Sequence, residues 1–148
     1  GFIGKSSKLL DEIPEGVSKT TVEEARKFVE ETGINLFAPA VGNVHGMLKS
    51  GLEPKLDIEL IKQIKEAVKI PLVLHGASGN SDEEIREAIN AGISIIHINT
   101  ELRVAYRKGL MKSLQDSPDE IAPYKYLRPA LHEMQAIVEK KLKLFNNL

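Results

Sequence analysis

A chain of 148 residues that is 42% hydrophobic and 28% charged can bury one core of ordinary size, so a single globular domain over 1–148 is expected. Its 20 Lys and Arg against 21 Asp and Glu leave a formal net charge of −1 with no basic block, which argues against nucleic acid or an anionic membrane as a partner. No apolar run is long enough to span a bilayer, and the absence of cysteine excludes a disulfide framework and a thiolate nucleophile and fits a cytoplasmic location. The chain opens on Gly1 rather than methionine, so the expectation is a trimmed chain or a piece of a longer one.

In chain order, "GFIGKSSKLLDEIPEGVSKT" mixes glycine, proline and serine without a period and reads as a strand end followed by a long loop. Thr21 and Glu24 form a capping-box pattern opening the helix "TVEEARKFVEETG", with Gly33 as its stop. "INLFAPAV" reads as a strand. The loop "GMLKSGLEPKL" leads to "DIELIKQIKEAVK", where Ile58, Ile61, Ile64 and Val68 share one helical face. "IPLVL" is a second, wholly apolar strand. Ser81 and Glu84 repeat the capping box for "SDEEIREAINAG", with Gly92 as its stop. "ISIIHINT" is a third β-branched run, continuing at once into the helix "ELRVAYRKGLMKSLQ". The turn-like "DSPDEIAPYKYLRP" precedes a last amphipathic helix, "ALHEMQAIVEKKLKLF".

Continuous apolar strands alternating with helices predict parallel strands covered on both faces, in an open sheet or a (β/α)8 barrel. The barrel is favoured because polar residues stand at the C-terminal ends of all three runs: His45, His75, and His97 through Thr100. Three or four βα units cannot close a barrel, so about half of a larger one is expected, or association with a complement.

His45 and His75 lie thirty residues apart, about one βαβ repeat, each followed by glycine. On neighbouring strands ~5 Å apart, two imidazoles can reach one metal ion, and neutral imidazole suits zinc. A catalytic zinc takes three protein ligands, so a third is expected outside this chain. A lone histidine at a strand end is more often structural; the pairing at matching ends favours ligation. Gly46, and Gly76 through Ser78, offer unshielded N–H groups, while Asn99 and Thr100 stand just before a helix, so a phosphate is expected at these strand ends. A plain helix cap is the alternative for Thr100.

The strings "APAVGNVHGM", "PKLD", "IPLVLHGASG" and "INTEL" closely resemble the C-terminal half of the class II, metal-dependent ketose-bisphosphate aldolases, the fructose- and tagatose-bisphosphate group. The resemblance runs from the loop near residue 1 to about Phe145. It implies an α/β fold, the C-terminal half of a (β/α)8 TIM barrel with extra C-terminal helices, the N-terminal half lying outside this chain. It also implies His45 and His75 as two of three zinc ligands. The third histidine and the proton-donating aspartate belong to an earlier strand. Gly46, Gly76, Ala77 and Ser78 would contact a dihydroxyacetone-phosphate moiety, and His97, Ile98, Asn99 and Thr100 would complete its phosphate and hydroxyl contacts. The implied reaction is reversible cleavage of a ketose 1,6-bisphosphate to dihydroxyacetone phosphate and glyceraldehyde 3-phosphate, with zinc stabilising the charge that develops on the ketone oxygen. A homo-oligomer, dimer or tetramer, goes with the family, and this chain alone is expected to be inactive.

Two positions depart from the family pattern. Asparagine usually stands where this chain has His97, leaving a substrate hydrogen bond from the ring or inert packing as its readings. The loop "GKSSKLLDEIPEG" lacks the usual glycine-rich segment, so Glu12 or Glu15 serves as the loop's catalytic glutamate only if the loop folds over the metal. Lys49 is a secondary candidate for neutralising phosphate, and His132 reads as a surface or packing residue. The rival readings are a noncatalytic half-barrel phosphate-binding or assembly module and a zinc hydrolase using bound water.

Overall fold

The chain's helices begin where their first-turn N–H groups find side-chain partners. In the computed structural model, which describes residues 9–13, 16, 18–51 and 53–146, α1 (Val22–Thr32) starts at Thr21. The Thr21 hydroxyl accepts the Glu24 N–H while the Glu24 carboxylate accepts the Thr21 N–H, and Gly33 ends the helix in the left-handed conformation. The α3 helix (Asp82–Asn90) repeats the device with Ser81 and Glu84. Between them, α2 (Ile58–Val68) is capped by Asp57, which accepts the Leu60 N–H at 3.1 Å. Its Ile61, Ile64 and Val68 are buried, the face that the apolar period predicts.

Two strands pair in parallel: β1 (Leu72–Leu74) and β2 (Ile93–Ile96), with Leu72 opposite Ile93 and Leu74 opposite Ile96. On the other side of β1, Phe37 makes a single parallel bridge to Leu72. The Phe37 N–H donates to the Pro71 carbonyl at 3.2 Å, and the Phe37 carbonyl accepts the Val73 N–H at 2.8 Å. The strand expected over 34–41 is therefore reduced to one bridge. Pro39 has no N–H to give, and the groups around it bond elsewhere. The Ala40 N–H donates to the Thr20 hydroxyl, the Val41 N–H to the Asn43 side chain, and the Val41 carbonyl accepts the Asp57 N–H.

The core of this region is Val41, Ile61, Ile64, Leu72, Leu74 and Ile85, all fully buried. Every residue of β1 is buried, as its apolar run predicts. In β2 only Ile93 is buried; Ser94 and Ile95 are exposed, so the expected cover on both faces is absent from the second strand. Its hydrogen-bonded neighbour in the sheet is β1 alone among the described residues.

By its contacts the chain divides into two compact units, Gly1–Ile98 and Asn99–Leu148. All the elements above belong to the first. The second is helical: α4 (Thr100–Asp116), α5 (Pro123–Tyr126) and α6 (Arg128–Phe145). The stretch read as a plain turn thus contains one helical turn, started by Pro123, whose fixed φ and missing N–H suit a first helical position. Along α4 and α6, Gly109 meets Ala130 so closely that a Cβ at Gly109 would lie 2.8 Å from the Ala130 Cα. Farther along, Lys141 pairs with Glu101 at 3.1 Å, their side chains only 8% and 14% exposed. No helix among the described residues is long and apolar enough to cross a membrane.

Candidate active site

His75 follows β1 directly and His97 follows β2 directly, while His45 stands in the loop beyond the Phe37 segment. The strand ends converge because two residues let them. A Cβ at Gly76 would lie 2.6 Å from the Val44 carbonyl oxygen and 3.3 Å from the His45 nitrogen, and Gly76 has φ +70°. Only glycine allows the backbone after His75 to lie flat against the backbone before His45. Asn43 supplies the second tie. Its amide nitrogen donates to the His75 carbonyl and its amide oxygen accepts the Val41 N–H at 2.9 Å, with the residue 4% exposed.

This docking leaves the His45 and His75 Nδ1 atoms 3.4 Å apart, with the rings roughly stacked at 25° and centroids 5.0 Å apart. An N–H hydrogen bond usually measures ~2.7–3.2 Å, so 3.4 Å is long for one. Two imidazole nitrogens each ~2.0–2.1 Å from a tetrahedral zinc stand about 3.3–3.4 Å apart, so the donor set and its spacing fit one such ion. His97 presents its ring edge to His75 at 5.4 Å between centroids, and its N–H donates to the Leu74 carbonyl at 3.0 Å. The His75 pKa is lowered, chiefly by burial and further by the neighbouring His45 and His97. That favours the neutral imidazole, the form that ligates a metal. Among the described residues no three of His, Cys, Asp or Glu gather closely enough to hold a metal, so a three-ligand site needs a donor from beyond them.

The other candidates divide between the two units. Gly46 is buried at φ +125°, with Leu10 side-chain atoms 3.4 Å from where a Cβ would stand. Ala77 is fully buried, Ser78 is 3% exposed, and Ile98 is half-buried at the end of the first unit. Asn99 and Thr100 open the second unit, as the residue before α4 and its first residue. Thr100 is therefore helical and does not serve as the plain cap.

Lys49 pairs with Asp11 at 2.7 Å, both exposed. The residues around Leu10 also form a short parallel bridge to Leu48, with the Leu10 N–H on the Met47 carbonyl and the Lys49 N–H on the Leu10 carbonyl. Part of the segment read as loop is thus hydrogen-bonded beside the His45 turn. Glu12 there is exposed; Glu15 and the expected strand end at residues 1–8 lie outside the described residues. His132 is exposed on α6.

Two residues of the site were not singled out from the sequence. Asn43 in "GNVHG" reads as ordinary turn chemistry beside glycine, although a polar residue inside an apolar run is the signal that marks it. Glu53 carries no sequence signal at all. Its carboxylate accepts the Leu48 N–H at 2.7 Å and packs against Gly79, where a Cβ would lie 2.6 Å from the Glu53 side chain. It thereby links the His45 turn to the loop after His75. Burial raises its pKa, and the Leu48 N–H works against that rise.

Comparison with known proteins bears on this arrangement. The family model described as fructose-bisphosphate aldolase class-II matches residues 1–148. The chain belongs to the class-II fructose-bisphosphate aldolase family. A Bacillus subtilis protein named as a probable fructose-bisphosphate aldolase is 37% identical over 137 residues, covering 93% of this chain and 47% of that protein. The crystal structure of the YdjI aldolase of Escherichia coli K12 is similar with a TM-score of 0.72 at 38% identity, over 86% of this chain and 46% of that one. The fructose-bisphosphate aldolase of Campylobacter jejuni shares the fold, with a TM-score of 0.71 at 22% identity over 86% and 45%. The chain thus spans about half the length of the relatives it matches.

Proposed function

We propose that residues 1–148 form one partial domain, the C-terminal half of a (β/α)8 barrel, in a zinc-dependent aldolase acting on a ketose 1,6-bisphosphate. The products are dihydroxyacetone phosphate and glyceraldehyde 3-phosphate. The half barrel is supported by the parallel arrangement of Phe37, β1 and β2, by the exposed Ser94 and Ile95 of β2, and by the half-length match to the relatives. The N-terminal half, a homo-oligomeric state (dimer or tetramer) and a cytoplasmic location belong to the same reading.

The observation that carries it is the 3.4 Å separation of the His45 and His75 Nδ1 atoms within a family of aldolases. These two residues hold the ion together with a histidine from the N-terminal half, which also brings the proton-donating aspartate. When bound, zinc supplies Lewis-acid stabilisation of charge developing on the substrate. This chain's residues bind one end of the substrate. The N–H groups at Gly46, Gly76, Ala77 and Ser78 orient the dihydroxyacetone-phosphate end. By the family reading, His97, Ile98, Asn99 and Thr100 complete its phosphate and hydroxyl contacts. The depressed His75 pKa keeps that ring available as a lone-pair donor at neutral pH.

The test uses the full-length protein. His45→Ala and His75→Ala are each expected to lose bound zinc and release of dihydroxyacetone phosphate while keeping the wild-type far-UV circular dichroism. Full turnover or full zinc content in either variant overturns the ligand assignment.

A further inference from the structure

We propose that Asn43 is the positioning residue that sets the distance between His45 and His75, an inference that rests on the metal-ligand reading above. Asn43 lies two residues before His45, and its side chain crosses to the other histidine's strand. Its amide nitrogen donates to the main-chain carbonyl of His75, and its amide oxygen accepts the Val41 N–H at 2.9 Å. One planar group thus holds both backbones, as acceptor for the strand leading to His45 and as donor to the residue that bears the second ring. At 4% exposure, water does not readily replace either bond.

Farther from the rings, Phe37 hydrogen-bonds to Pro71 and Val73 across the same two backbones; beside the rings, Gly76 approaches Val44 and His45, a van der Waals contact that limits only how near they come. Gly76 therefore limits how near the strand ends come beside the rings, and Asn43 supplies the hydrogen bond at that end that resists their parting, six residues beyond the Phe37 bridge. A metal site tolerates little looseness, because ligands must converge within a few tenths of an ångström on one point. Without Asn43 the His75 carbonyl and the Val41 N–H lose their partner, and the route to satisfying them by water is to part the strand ends. The rings then move apart although neither has been altered. Polar residues that orient ligands in this way typically account for ~10–100-fold in metal affinity.

Asn80 provides the contrast. It is equally buried, at 6% exposure, and its amide donates to the Pro54 carbonyl at 3.4 Å, so its loss disturbs the same loops without touching the strands that carry the rings.

The experiment measures Co2+ binding to the full-length protein by competition with a chromophoric chelator, and records the visible d–d spectrum of each loaded protein. Wild type is expected to bind and His45→Ala to fail. Asn43→Ala is expected to bind at least ~10-fold more weakly, with a changed d–d band and native circular dichroism. Asn80→Ala should lower thermal stability while keeping the wild-type spectrum and affinity. Should Asn43→Ala fail to fold, Asn43→Ser, whose hydroxyl is too short to span both partners, carries the same expectation. An Asn43 variant with affinity within twofold of wild type and an unchanged band overturns the positioning role, while the loss in His45→Ala leaves the ligand reading standing. Equal effects of Asn43→Ala and Asn80→Ala also overturn it, since loosening of the loops then accounts for both. Co2+ binding by His45→Ala at wild-type strength overturns the ligand reading and this inference together.

Discussion

Gly76 and Gly109 solve the same steric problem in two different units of the chain, and to different ends. At each, a Cβ would collide with backbone atoms of another segment: the Val44 carbonyl at 2.6 Å for Gly76, the Ala130 Cα at 2.8 Å for Gly109. The approach at Gly109 brings together the flanks of two helices, and farther along the same pair the buried polar element is an ion pair, Glu101 with Lys141. The approach at Gly76 brings together two imidazoles, and the buried polar element beside it is the neutral amide of Asn43. A close contact therefore says little about function until the side chains it gathers are named. The choice of polar partner is informative too: an uncharged amide can tie two strands beside a cation site without adding a charge of its own.

The comparison can be broken at four places, each read by thermal or denaturant unfolding unless stated. Gly76→Ala is expected to have the largest effect. It forces a side chain into left-handed backbone and against a carbonyl, at a cost on the order of 3–5 kcal/mol, and zinc content should fall with stability. Lys141→Met comes next, at about 3 kcal/mol, because it removes the buried ammonium that faces the Glu101 carboxylate at 3.1 Å; zinc content per folded protein should be unchanged. Combining it with Glu101→Leu should recover most of the loss, and a double variant no better than the single one would show that the ion pair is not the source. Gly109→Ala should cost about 1–2 kcal/mol, the overpacking being offset in part by alanine's better helix propensity, again without loss of zinc. If Gly109→Ala lost metal as Gly76→Ala does, the proposed division between packing and site would fail.

Asp57→Ala is the mildest, at about 1 kcal/mol for the lost cap of α2. Its pKa is held below the ordinary carboxylate value, first by the Lys19 ammonium and then by the Leu60 N–H. The unfolded chain therefore takes up the proton before the folded one does. The contribution is present above the ordinary carboxylate pKa and is lost as the pH falls through the depressed one, so the gap between wild type and Asp57→Ala should close below about pH 4. Added salt should narrow the part due to Lys19, which is half exposed.

Much of this was legible in the chain before any coordinates. Thr21 with Glu24 and Ser81 with Glu84 mark the starts of α1 and α3 because a capping box is closed within four residues and needs nothing from the rest of the fold. The period of Ile61, Ile64 and Val68 marks the buried face of α2 for the same local reason. The run 34–41 misled, since its apolar composition suits a strand while Pro39 and the side chains of Thr20 and Asn43 draw its backbone bonds elsewhere. The short helix α5 was hidden among turn-forming residues whose helical turn depends on the proline that opens it.

For the site, the amino-acid sequence determined which groups are present: two histidines, each followed by glycine, one βαβ repeat apart. Such identities and spacings are local properties that a linear chain carries. Only the tertiary structure decided that the rings meet at 3.4 Å, that Asn43 ties one strand to the other, and that Glu53 reaches from the His45 turn to the loop after His75. Those partners are up to 32 residues apart, and a hydrogen bond or a steric limit between them exists only once the fold has laid the segment after Phe37 alongside β1.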